Sequence, residues 1–493
     1  MPDSVRDVRT SARARGVLLV ICGAIFLEGV DVAMLNVALP AIRADLGLST
    51  PELGAVVSAY VLGYGGFLLL GGRTADLLGR RRMFLLWLTV FLAFSGLGGL
   101  ATEGWVLLLA RFVTGVAAAF MTPAGLALVT EHFPEGPMRT KALGFYAGTA
   151  AAGFTLGLVI GGLLTTVGWR WVFFAPVLLS ATILLAALWL LRGDGDTSGR
   201  RPLHSQTDSG GFDLPGALLI TAAMLLLAYG VVGLEDLSGG WARAVAPFAV
   251  GLALLAAFLR VERRAHAPLV RLGILRSAPL VRADVSALLF LGAFAGFQFI
   301  VTLYLQELRG WSPLQTGLAM LVIGLDAVLS PTLTPRLVDR YGHTPVLLGG
   351  FLLAAAAYAL FLPLGADWTY LTMLPAFLLL GLAFSLAYGP LTMAGTEDVD
   401  PAEHGLASGL LYTAMQFGTA LGLSAVSAVH AMALTGATEL DALRSALLVP
   451  LAAAVLGAAV VAGGLRRRRT ASAGVAGTPG RDDTALCTIG GDR

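Results

Sequence analysis

The sequence predicts an all-α membrane protein with fourteen transmembrane helices. Hydrophobic residues occupy 57% of its 493 positions and charged residues only 13%, well below the roughly 25% of charged residues in soluble globular domains. Fourteen apolar stretches are long enough to cross a hydrocarbon layer of about 30 Å, which takes about 20 helical residues. The short alternating segments typical of membrane β-barrels are absent from the sequence, so the predicted spans are helices.

The fourteen stretches follow one another with two longer interruptions. They cover about residues 16–40, 52–72, 83–102, 105–130, 141–166, 171–191, 213–234, 242–260, 281–305, 313–334, 345–364, 370–395, 405–433 and 444–465. The polar interval 192–211 is rich in Gly, Ser, Asp and Arg and is typical of a flexible linker. The interval 262–277 is basic and contains Pro268, and we expect an amphipathic stretch at the membrane surface there.

Basic residues collect on one set of the predicted connections. Arg80 to Arg82 follow the second stretch, and Arg466 to Arg469 follow the last. The opposite set of connections holds only Arg43, Arg170, Arg243, Arg309 and Arg444. Cytoplasmic loops carry the excess of Arg and Lys, and an even number of crossings puts both termini on one side. We therefore expect a multi-pass protein of the cell membrane with cytoplasmic N- and C-termini.

The stretches divide as six, two and six, because the two sixes look like repeats. The string from Gly72 through Asp76 to Gly79 has the same Asp-to-Gly spacing as the string from Pro335 through Asp339 to Gly342. We predict an N-terminal six-helix bundle over 1–191, a linker with two extra helices and a basic interfacial segment over 192–277, a C-terminal six-helix bundle over 278–465, and a disordered cytoplasmic tail over 466–493. Parallel six-helix repeats are one way to build a transporter.

The helix starts of the two repeats also match. Ser49 stands three residues before Glu52, and Ser312 stands three residues before Gln315, each with a proline in between. A serine followed three residues later by an acid or amide is the sequence pattern of a capping box. We therefore expect a capped helix to begin at each serine.

Two carboxylates lie inside the first apolar stretch. Placing an ionised group near a bilayer centre costs about 2.5–3.5 kcal/mol on insertion scales, so such groups are rarely retained for stability alone. Asp31 of the first stretch and Arg111 of the fourth lie at similar depths, at 1.5 Å per helical residue. We predict that Asp31 takes up and releases a coupling proton as Arg111 moves towards and away from it. A permanent buried ion pair that fixes helix packing is the alternative.

Other polar residues in the apolar stretches are weaker candidates. Glu28, one turn before Asp31, is either a second proton carrier or a counter-charge for a cationic substrate, and Asp326 either contacts substrate or proton or makes a hydrogen bond between helices. Candidates for lining a substrate cavity, each of which could also be ordinary packing, are Tyr60, Tyr64, Gln298, Tyr304, Tyr388, Tyr412 and Gln416. His430 has no second ligand near it in the sequence, and we predict a packed or hydrogen-bonded histidine rather than a metal site.

The strings after the second and tenth stretches are candidates for a cytoplasmic gate. Glycines permit a tight turn and a close backbone approach, while the acids and arginines could pair between the two halves. The candidate gate residues are Gly72, Asp76, Gly79, Arg80, Arg81, Asp339 and Arg340. The acids Glu397, Asp398, Asp400 and Glu403 are the predicted opposite pole, although they also suit the N-terminus of the next helix. A loop that only sets topology is the alternative.

A stripe of glycines runs along the fifth stretch. Gly153, Gly157 and Gly161 recur every four residues, and Gly162 follows. A smooth stripe of this kind permits tight packing of another membrane helix. We expect it to be a close helix–helix contact that also matters for function.

Taken together, these motifs resemble the major facilitator superfamily, and within it the fourteen-helix drug:proton antiporter group. The segments that carry the resemblance are Asp31 to Pro40, Gly72 to Arg82, Arg111 to Gly115, Gly153 to Gly162, Trp169 to Phe173 and Tyr304 to Gly317. Leu158 stands where the family's antiporter motif usually has proline, and Tyr412 where relatives often carry Asn. The resemblance implies two bundles that rock about a central site, with the fourth-helix Arg111 influencing protonation of an acid in the path.

The predicted function is export of lipophilic, possibly cationic, drug-like molecules in exchange for protons. A facilitator or importer of a small metabolite, and less so a channel, remain alternatives with the same fold. We predict no enzymatic activity, because the sequence shows no convergent nucleophile set and no Walker-type loop. Cys22 and Cys487 fall in a membrane helix and in the tail, so no disulfide, metal or cofactor is expected. The expected partners are a small-molecule substrate, protons and membrane lipid, with no nucleic acid, in a monomer.

Overall fold

The chain folds almost entirely into helices. The fold is that of a computed structural model, which describes residues 3–133, 137–191, 214–232, 242–264, 272–330, 332–396, 399, 404–436 and 438–476. Within these residues the α-helices are α1 (Asp3–Leu46), α2 (Thr50–Leu78), α3 (Arg80–Gly99), α4 (Gly104–His132), α5 (Pro137–Val167), α6 (Trp171–Leu190), α7 (Leu214–Val232), α8 (Ala242–Glu262), α9 (Ala278–Leu303), α10 (Pro313–Met320), α11 (Asp326–Leu329), α12 (Leu333–Tyr341), α13 (His343–Phe361), α14 (Tyr370–Thr396), α15 (His404–Leu434) and α16 (Glu439–Ala476).

Eleven segments of the described helices are long and apolar enough to cross a membrane. They are Ala14–Leu46, Arg80–Gly99, Gly104–His132, Gly148–Val167, Trp171–Leu190, Val245–Glu262, Ala278–Leu308, His343–Phe361, Tyr370–Gly395, Ala407–Leu434 and Glu439–Leu465. The shorter apolar segments Glu52–Leu68 and Pro313–Leu325 are additional to these. The chain is therefore an all-helical membrane protein, although the eleven are fewer than the fourteen crossings predicted.

The tenth predicted stretch is not one continuous helix. A 3-10 turn at Leu321–Leu325 separates α10 from α11, and α11 ends four residues before α12 begins. The ninth stretch also departs from regular geometry, because a π-helical turn at Tyr304–Leu308 follows α9. Irregular turns inside apolar helices often occur at functional sites and hinges.

Local signals recur in the two halves of the chain. Both predicted capping boxes are confirmed, since the Ser49 and Ser312 hydroxyls accept from the backbone N–H of Glu52 and Gln315. Gly47 and Gly310, which precede these caps, have φ of +67° and +66°. Gly79 and Gly342, at the ends of the two gate strings, have φ of +96° and +81°. Glycine adopts positive φ without steric cost, so the same turns reverse the chain in both halves.

The helices group into two sets and a hairpin. Helices α1 to α6 pack mainly on one another, and so do α9 and α13 to α16, which we group with α10 to α12 as the second set; α2 also packs on α15, and α5 on α10, between the sets. The pair α7 and α8 forms a hairpin whose first helix packs on α2 and on α15. The Thr221 hydroxyl of α7 donates to the Gly66 carbonyl of α2 at 3.0 Å. The extra pair thus lies beside the seam between the two sets.

The helix ends define two faces of the molecule. The bridged face holds the α1–α2 turn at 47–49, and the Arg-rich face holds the α2–α3 turn at 79–82. At the bridged face the two sets touch, because Arg43 Nη1 pairs with Glu307 Oε2 at 2.8 Å and Gln306 Nε2 donates to the Val37 carbonyl at 2.8 Å. Helices α5 and α10 also meet, so the sets are joined across this face.

The glycine stripe of α5 packs directly on α1. A Cβ at Gly157 would lie 2.9 Å from Val30 Cα, and a Cβ at Gly161 would lie 2.5 Å from Met34 Cα. Real Cβ atoms do not approach other atoms this closely, so only glycine fits without a shift. Gly162 points elsewhere, towards the Pro313 carbonyl of α10 in the other set. The stripe therefore fixes α1 in place and, at its end, contacts the opposite half.

We expect Gly157→Val to destabilise the fold by about 1–3 kcal/mol, because the added side chain overpacks the α1–α5 contact. Gly148→Val on the same helix is the matched control, since a Cβ at Gly148 meets no atom within 4 Å. The measurement is the apparent melting temperature of the purified proteins in detergent. Equal melting temperatures for the two variants would contradict the packing assigned to the stripe.

Candidate functional site

A buried ion pair joins α1 to α4. Arg111 Nη1 lies 2.6 Å from Asp31 Oδ2, and each side chain is only 2% exposed. The Arg111 guanidinium also stacks over the ring of Tyr60 from α2, at 4.5 Å from the ring centroid. The contact that helix depth predicted between Arg111 and an acid of the first helix is present in the structure, while the role of the pair in coupling stays a prediction.

The pair leaves part of the guanidinium unsatisfied. Arg111 Nε is buried and has no hydrogen-bond partner within the described part of the chain. Transferring two charges out of water costs several kcal/mol each, and only good geometry offsets that cost. A buried pair with a spare donor is consequently easier to rearrange than one whose donors are all satisfied.

Glu28 lies one turn before Asp31 and has different partners. The Thr122 hydroxyl of α4 donates to Glu28 Oε2 at 2.7 Å, and the Tyr64 side chain of α2 lies close to the same carboxyl group. Glu28 and Asp31 are close enough to interact electrostatically. Two acids with separate partners thus share one stretch of α1.

Five tyrosines lie near enough to the Glu28 carboxylate to interact with its charge, and we call them the tyrosine group. Each interacts electrostatically with Glu28: Tyr60, Tyr64, Tyr146, Tyr388 and Tyr412. The last two come from α14 and α15 in the second half of the chain, where they lie close to each other. Glu28 is therefore an acid of one half that faces aromatic side chains of the other.

The tyrosine group continues into an aromatic wall. Tyr388 stacks on Phe384 with a centroid distance of 5.4 Å and an interplanar angle of 13°. Phe384 lies 4.7 Å from the ring of Phe294 on α9, which in turn lies 6.4 Å from Phe154 of α5. Aromatic faces bind cations and flat apolar molecules. A carboxylate beside such a wall can hold a lipophilic cation.

Four of the predicted cavity residues are not members of the tyrosine group. Gln416 packs on Gly65 at the α2–α15 seam, and Gln298 is 3% exposed with no partner for Nε2 within the described residues. Tyr304 is fully buried, and its hydroxyl donates to the Gly365 carbonyl at 2.7 Å. Asp326 is half-buried at the start of α11, directly after the 3-10 turn. The four residues come from four different segments, namely α9, the π-helical turn, α11 and α15.

The gate candidates lie at the Arg-rich face. Arg80 Nη1 lies 3.4 Å from Glu131 Oε2 and donates to the Ala127 carbonyl at 3.3 Å, both in α4 of the same half. Asp339 and Arg340 are exposed at the end of α12. Gly72 and Arg81 are half-buried. The Asp76 side chain and the acids Glu397, Asp398, Asp400 and Glu403 fall outside the described residues, so pairing between the halves stays a prediction.

Three ionic features were missed by sequence reasoning. Asp284 of α9 has a buried Oδ1 without a hydrogen-bond partner within the described chain. It stands near the start of its apolar stretch, where an acidic residue is readily interpreted as marking the end of the span. The Arg43–Glu307 pair joins residues 264 apart in sequence, a contact that no local pattern signals. His430 is hydrogen-bonded to Glu439 at 3.1 Å, as a hydrogen-bonded histidine was predicted, but its partner was not. Among the described residues no cluster of three or more His, Cys, Asp or Glu could hold a metal.

A sequence model of a transporter family matches most of the chain. The Major Facilitator Superfamily model aligns with residues 21–423. The chain belongs to the major facilitator superfamily. It is therefore a membrane transporter of small molecules and not an enzyme, and its helices form the major facilitator fold.

Relatives within the superfamily are antibiotic resistance and export proteins. The puromycin resistance protein of Streptomyces alboniger is 38% identical over 433 residues, which are 85% of this chain and 82% of the relative. The lincomycin resistance protein of Streptomyces lincolnensis is 35% identical over 85% of each chain. The cephamycin export protein of Amycolatopsis lactamdurans is 34% identical over 87% of this chain and 88% of its own.

Solved structures of transporters share the fold at low sequence identity. The peptide transporter family member PepTSo matches with a TM-score of 0.67 at 15% identity, over 92% of this chain and 98% of its own. The human organic anion transporter MFSD10 matches with a TM-score of 0.62 at 18% identity, over 91% and 99%. These similarities concern the fold alone.

We expect Asp31→Asn to lower the free energy of unfolding by about 3–5 kcal/mol, because it leaves the Arg111 charge buried without a counter-ion. The double variant Asp31→Asn/Arg111→Leu should lose less than the sum of the two single variants, since it removes both charges. Reversible denaturant unfolding in mixed micelles measures this double-mutant cycle. Strict additivity, or an Asp31→Asn variant as stable as the wild type, would rule out a buried ionised pair.

Proposed function

We propose that this superfamily member exports lipophilic cationic small molecules in exchange for protons, by alternating access. The observation that carries the proposal is the buried Asp31–Arg111 pair with a second acid, Glu28, one helical turn away and close to aromatic residues of both halves. Its relatives' names, which concern antibiotic resistance and export, support the direction of transport.

Coupling follows from the partners of the two acids. When Asp31 is ionised it holds Arg111, and Glu28 faces the tyrosine group and can balance the charge of a cationic substrate. When Asp31 takes up a proton it no longer holds the guanidinium, which then competes with the substrate for Glu28. Protonation thus favours release of the cation, and deprotonation favours its capture. In this scheme Asp31 binds the proton and Glu28 binds the cationic substrate.

The aromatic wall suits a lipophilic cation. Burying a cation without compensation is costly, whereas a carboxylate and several ring faces supply both charge balance and attraction of about 0.5–2 kcal/mol per favourable ring. The hydroxyls of Tyr388 and Tyr412 add hydrogen-bonding groups at the same place. Uncharged antibiotics with aromatic parts would use the wall without the acid.

Alternating access would come from tilting of the two sets of helices. The bridged face is joined by Arg43–Glu307 and by Gln306 on the Val37 carbonyl, and these contacts support a state closed at that face. Opening it requires separating α5 from α10 and breaking this hydrogen bond and this partly exposed ion pair, of which the ion pair is a modest cost. The candidate gate strings at the Arg-rich face would then close the opposite side.

The predicted topology is retained as part of the proposal. Fourteen crossings result if Glu52–Leu68, α7 and the segment from Pro313 onwards join the eleven long apolar segments. The excess of arginine favours the cytoplasm for the Arg-rich face and the termini, in the cell membrane. The proposal also includes a monomeric state and the predicted division of the chain. That division consists of two bundles over 1–191 and 278–465, an intervening segment over 192–277 and a tail over 466–493.

We expect Asp31→Asn to abolish proton-dependent export. The asparagine amide cannot take up and release a proton in this pH range, whether or not it contacts Arg111. The measurement is efflux of ethidium from preloaded cells, with and without a protonophore. Asp45→Asn is the control, since Asp45 pairs with Arg170 at the bridged face and both side chains are well exposed.

Two outcomes would separate the roles. Glu28→Gln should reduce export of ethidium while sparing protonophore-sensitive export of an uncharged antibiotic. Concentrative, protonophore-sensitive export that survives in Asp31→Asn at wild-type rate would remove Asp31 as the coupling acid.

We expect a covalent link between α1 and the π-helical turn to stop transport. In a chain with Cys22 and Cys487 replaced by alanine, a short bis-maleimide, which adds one thiol at each end, would join the pair Arg43→Cys and Glu307→Cys and lock the bridged face shut. The same treatment of Asp45→Cys and Arg170→Cys is the control, because that ion pair lies within one half. Undiminished ethidium efflux after complete linking of the first pair would contradict opening at this face.

A further inference from the structure

We propose that His430 is a further proton-binding site, at the bridged face, and that protonation of its ring favours opening of that face. His430 lies near the end of α15 and is only 1% exposed. Charged residues of both halves of the chain interact electrostatically with its ring. The inference rests on the alternating access proposed above, with the bridged face on the outer side of the membrane.

The hydrogen bonding of the ring determines which nitrogen can take up a proton. His430 Nε2 lies 3.1 Å from Glu439 Oε1, at the start of α16. An ionised carboxylate only accepts hydrogen bonds, so Nε2 carries the proton of the neutral ring. Nδ1 then has a lone pair, and it is buried without a hydrogen-bond partner within the described residues. Nδ1 is therefore the atom at which a further proton binds.

The charges that face the ring come from three elements. Glu439 of α16, Glu307 of the π-helical turn after α9 and Arg43 of α1 each interact electrostatically with His430. Arg43 donates to both carboxylate oxygens of Glu307, at 3.1 and 2.8 Å. Other charged side chains of this face are bonded elsewhere: Glu52 to Ser49, Arg170 to Asp45, Arg309 to the Ala366 carbonyl and Arg444 to Asp441.

Opening of the bridged face separates these charges unequally. Arg43 belongs to the first half, whereas His430, Glu307 and Glu439 belong to the second. Tilting of the two sets apart at this face therefore removes Arg43 and leaves the ring with two acids. A protonated ring is repelled by Arg43 and attracted by both acids, so it is more stable once Arg43 has left. Arg43 and protonated His430 are thus alternative counter-ions for Glu307.

Burial of the ring acts in the same direction. In the closed state a charged ring would be almost fully buried, and its Nδ1–H would have no acceptor within the described residues. Burying a charge or a donor without a partner is costly, and opening lowers that cost by admitting water. Since the open state binds the proton more tightly, a lower pH at the bridged face favours the open state. Protons of the outer compartment would then promote the state that releases the substrate.

The test is the distance across the bridged face as the pH is lowered. Nitroxide labels on Ala44→Cys of α1 and Ala366→Cys in the turn before α14 would report this distance by pulsed electron paramagnetic resonance. Both alanines are exposed, and neither change alters a charge. The full-length protein, with Cys22 and Cys487 replaced by alanine, would be measured in lipid nanodiscs, where both faces meet the same pH.

We expect the ratio of open to closed protein to rise at least about threefold between about pH 8 and about pH 5.5, which lie on either side of the ordinary histidine range. A difference of about threefold in proton affinity between the two states gives this change. His430→Gln should lose most of the response. His343→Gln, at the start of α13 on the Arg-rich face, should keep it. Equal responses of wild type and His430→Gln would overturn the inference, as would a face that closes in acid.

Two partly exposed residues test the charge argument without a change to the buried ring. Arg43→Gln and Glu307→Gln break the same ion pair, but only the first removes the charge that repels the protonated ring. Arg43→Gln should therefore weaken the pH response. Glu307→Gln should keep the response and displace it to lower pH, because an acid near the ring is lost. Identical pH profiles of these two variants would contradict the competition between Arg43 and His430.

Failure of this inference is distinguishable from failure of the proposed function. The distance measurement uses neither substrate nor a proton gradient. A pH response without any contribution from His430 removes this proton site and leaves coupling through Asp31 intact. A wild-type face that stays closed at every pH would contradict both the inference and the proposed opening at this face.

Discussion

The buried contact between Asp31 and Arg111 is the interaction on which the rest of the first half depends. Both charges are almost completely removed from solvent, so each tolerates burial only while the other is present. That requirement fixes the rotation of α1 against α4. It also determines where Glu28 lies, because one helical turn along α1 places it under Thr122 and among the tyrosines. The electrostatic arrangement of the site follows from one pair.

Close backbone packing makes this pair possible. The glycines of α5 hold α1 at a distance that no larger residue allows, immediately behind the acids. A rigid support on one side leaves the side chains of Asp31 and Glu28 free to change partners on the other. The glycine stripe of α5 therefore supports the backbone of α1, while the proposed coupling requires the acid side chains of α1 to rearrange.

The sequence predicted those features whose causes are local or depend on depth alone. The caps at Ser49 and Ser312 follow from side chains three residues apart, and the Arg111–Asp31 contact follows from counting residues along two helices. The Arg43–Glu307 bridge and the electrostatic interaction of Glu28 with Tyr388 depend on how two distant halves come together, which no spacing encodes. The unpaired oxygen of Asp284 depends on the absence of neighbours, which is likewise a tertiary property.

The two halves have the same turns but carry different side chains at the corresponding position of their first helices. If the register set by Gly47 and Gly310 is extended back along the helices, Asp31 of α1 corresponds to Phe294 of α9. Phe294 contacts Phe384 within its own half and Phe154 of the other. One repeat thus supplies charge at the position where the other supplies an aromatic face. In the proposed mechanism a substrate held between them would contact both, movement of either half would change its affinity, and a proton taken up by the charged half would bias that movement.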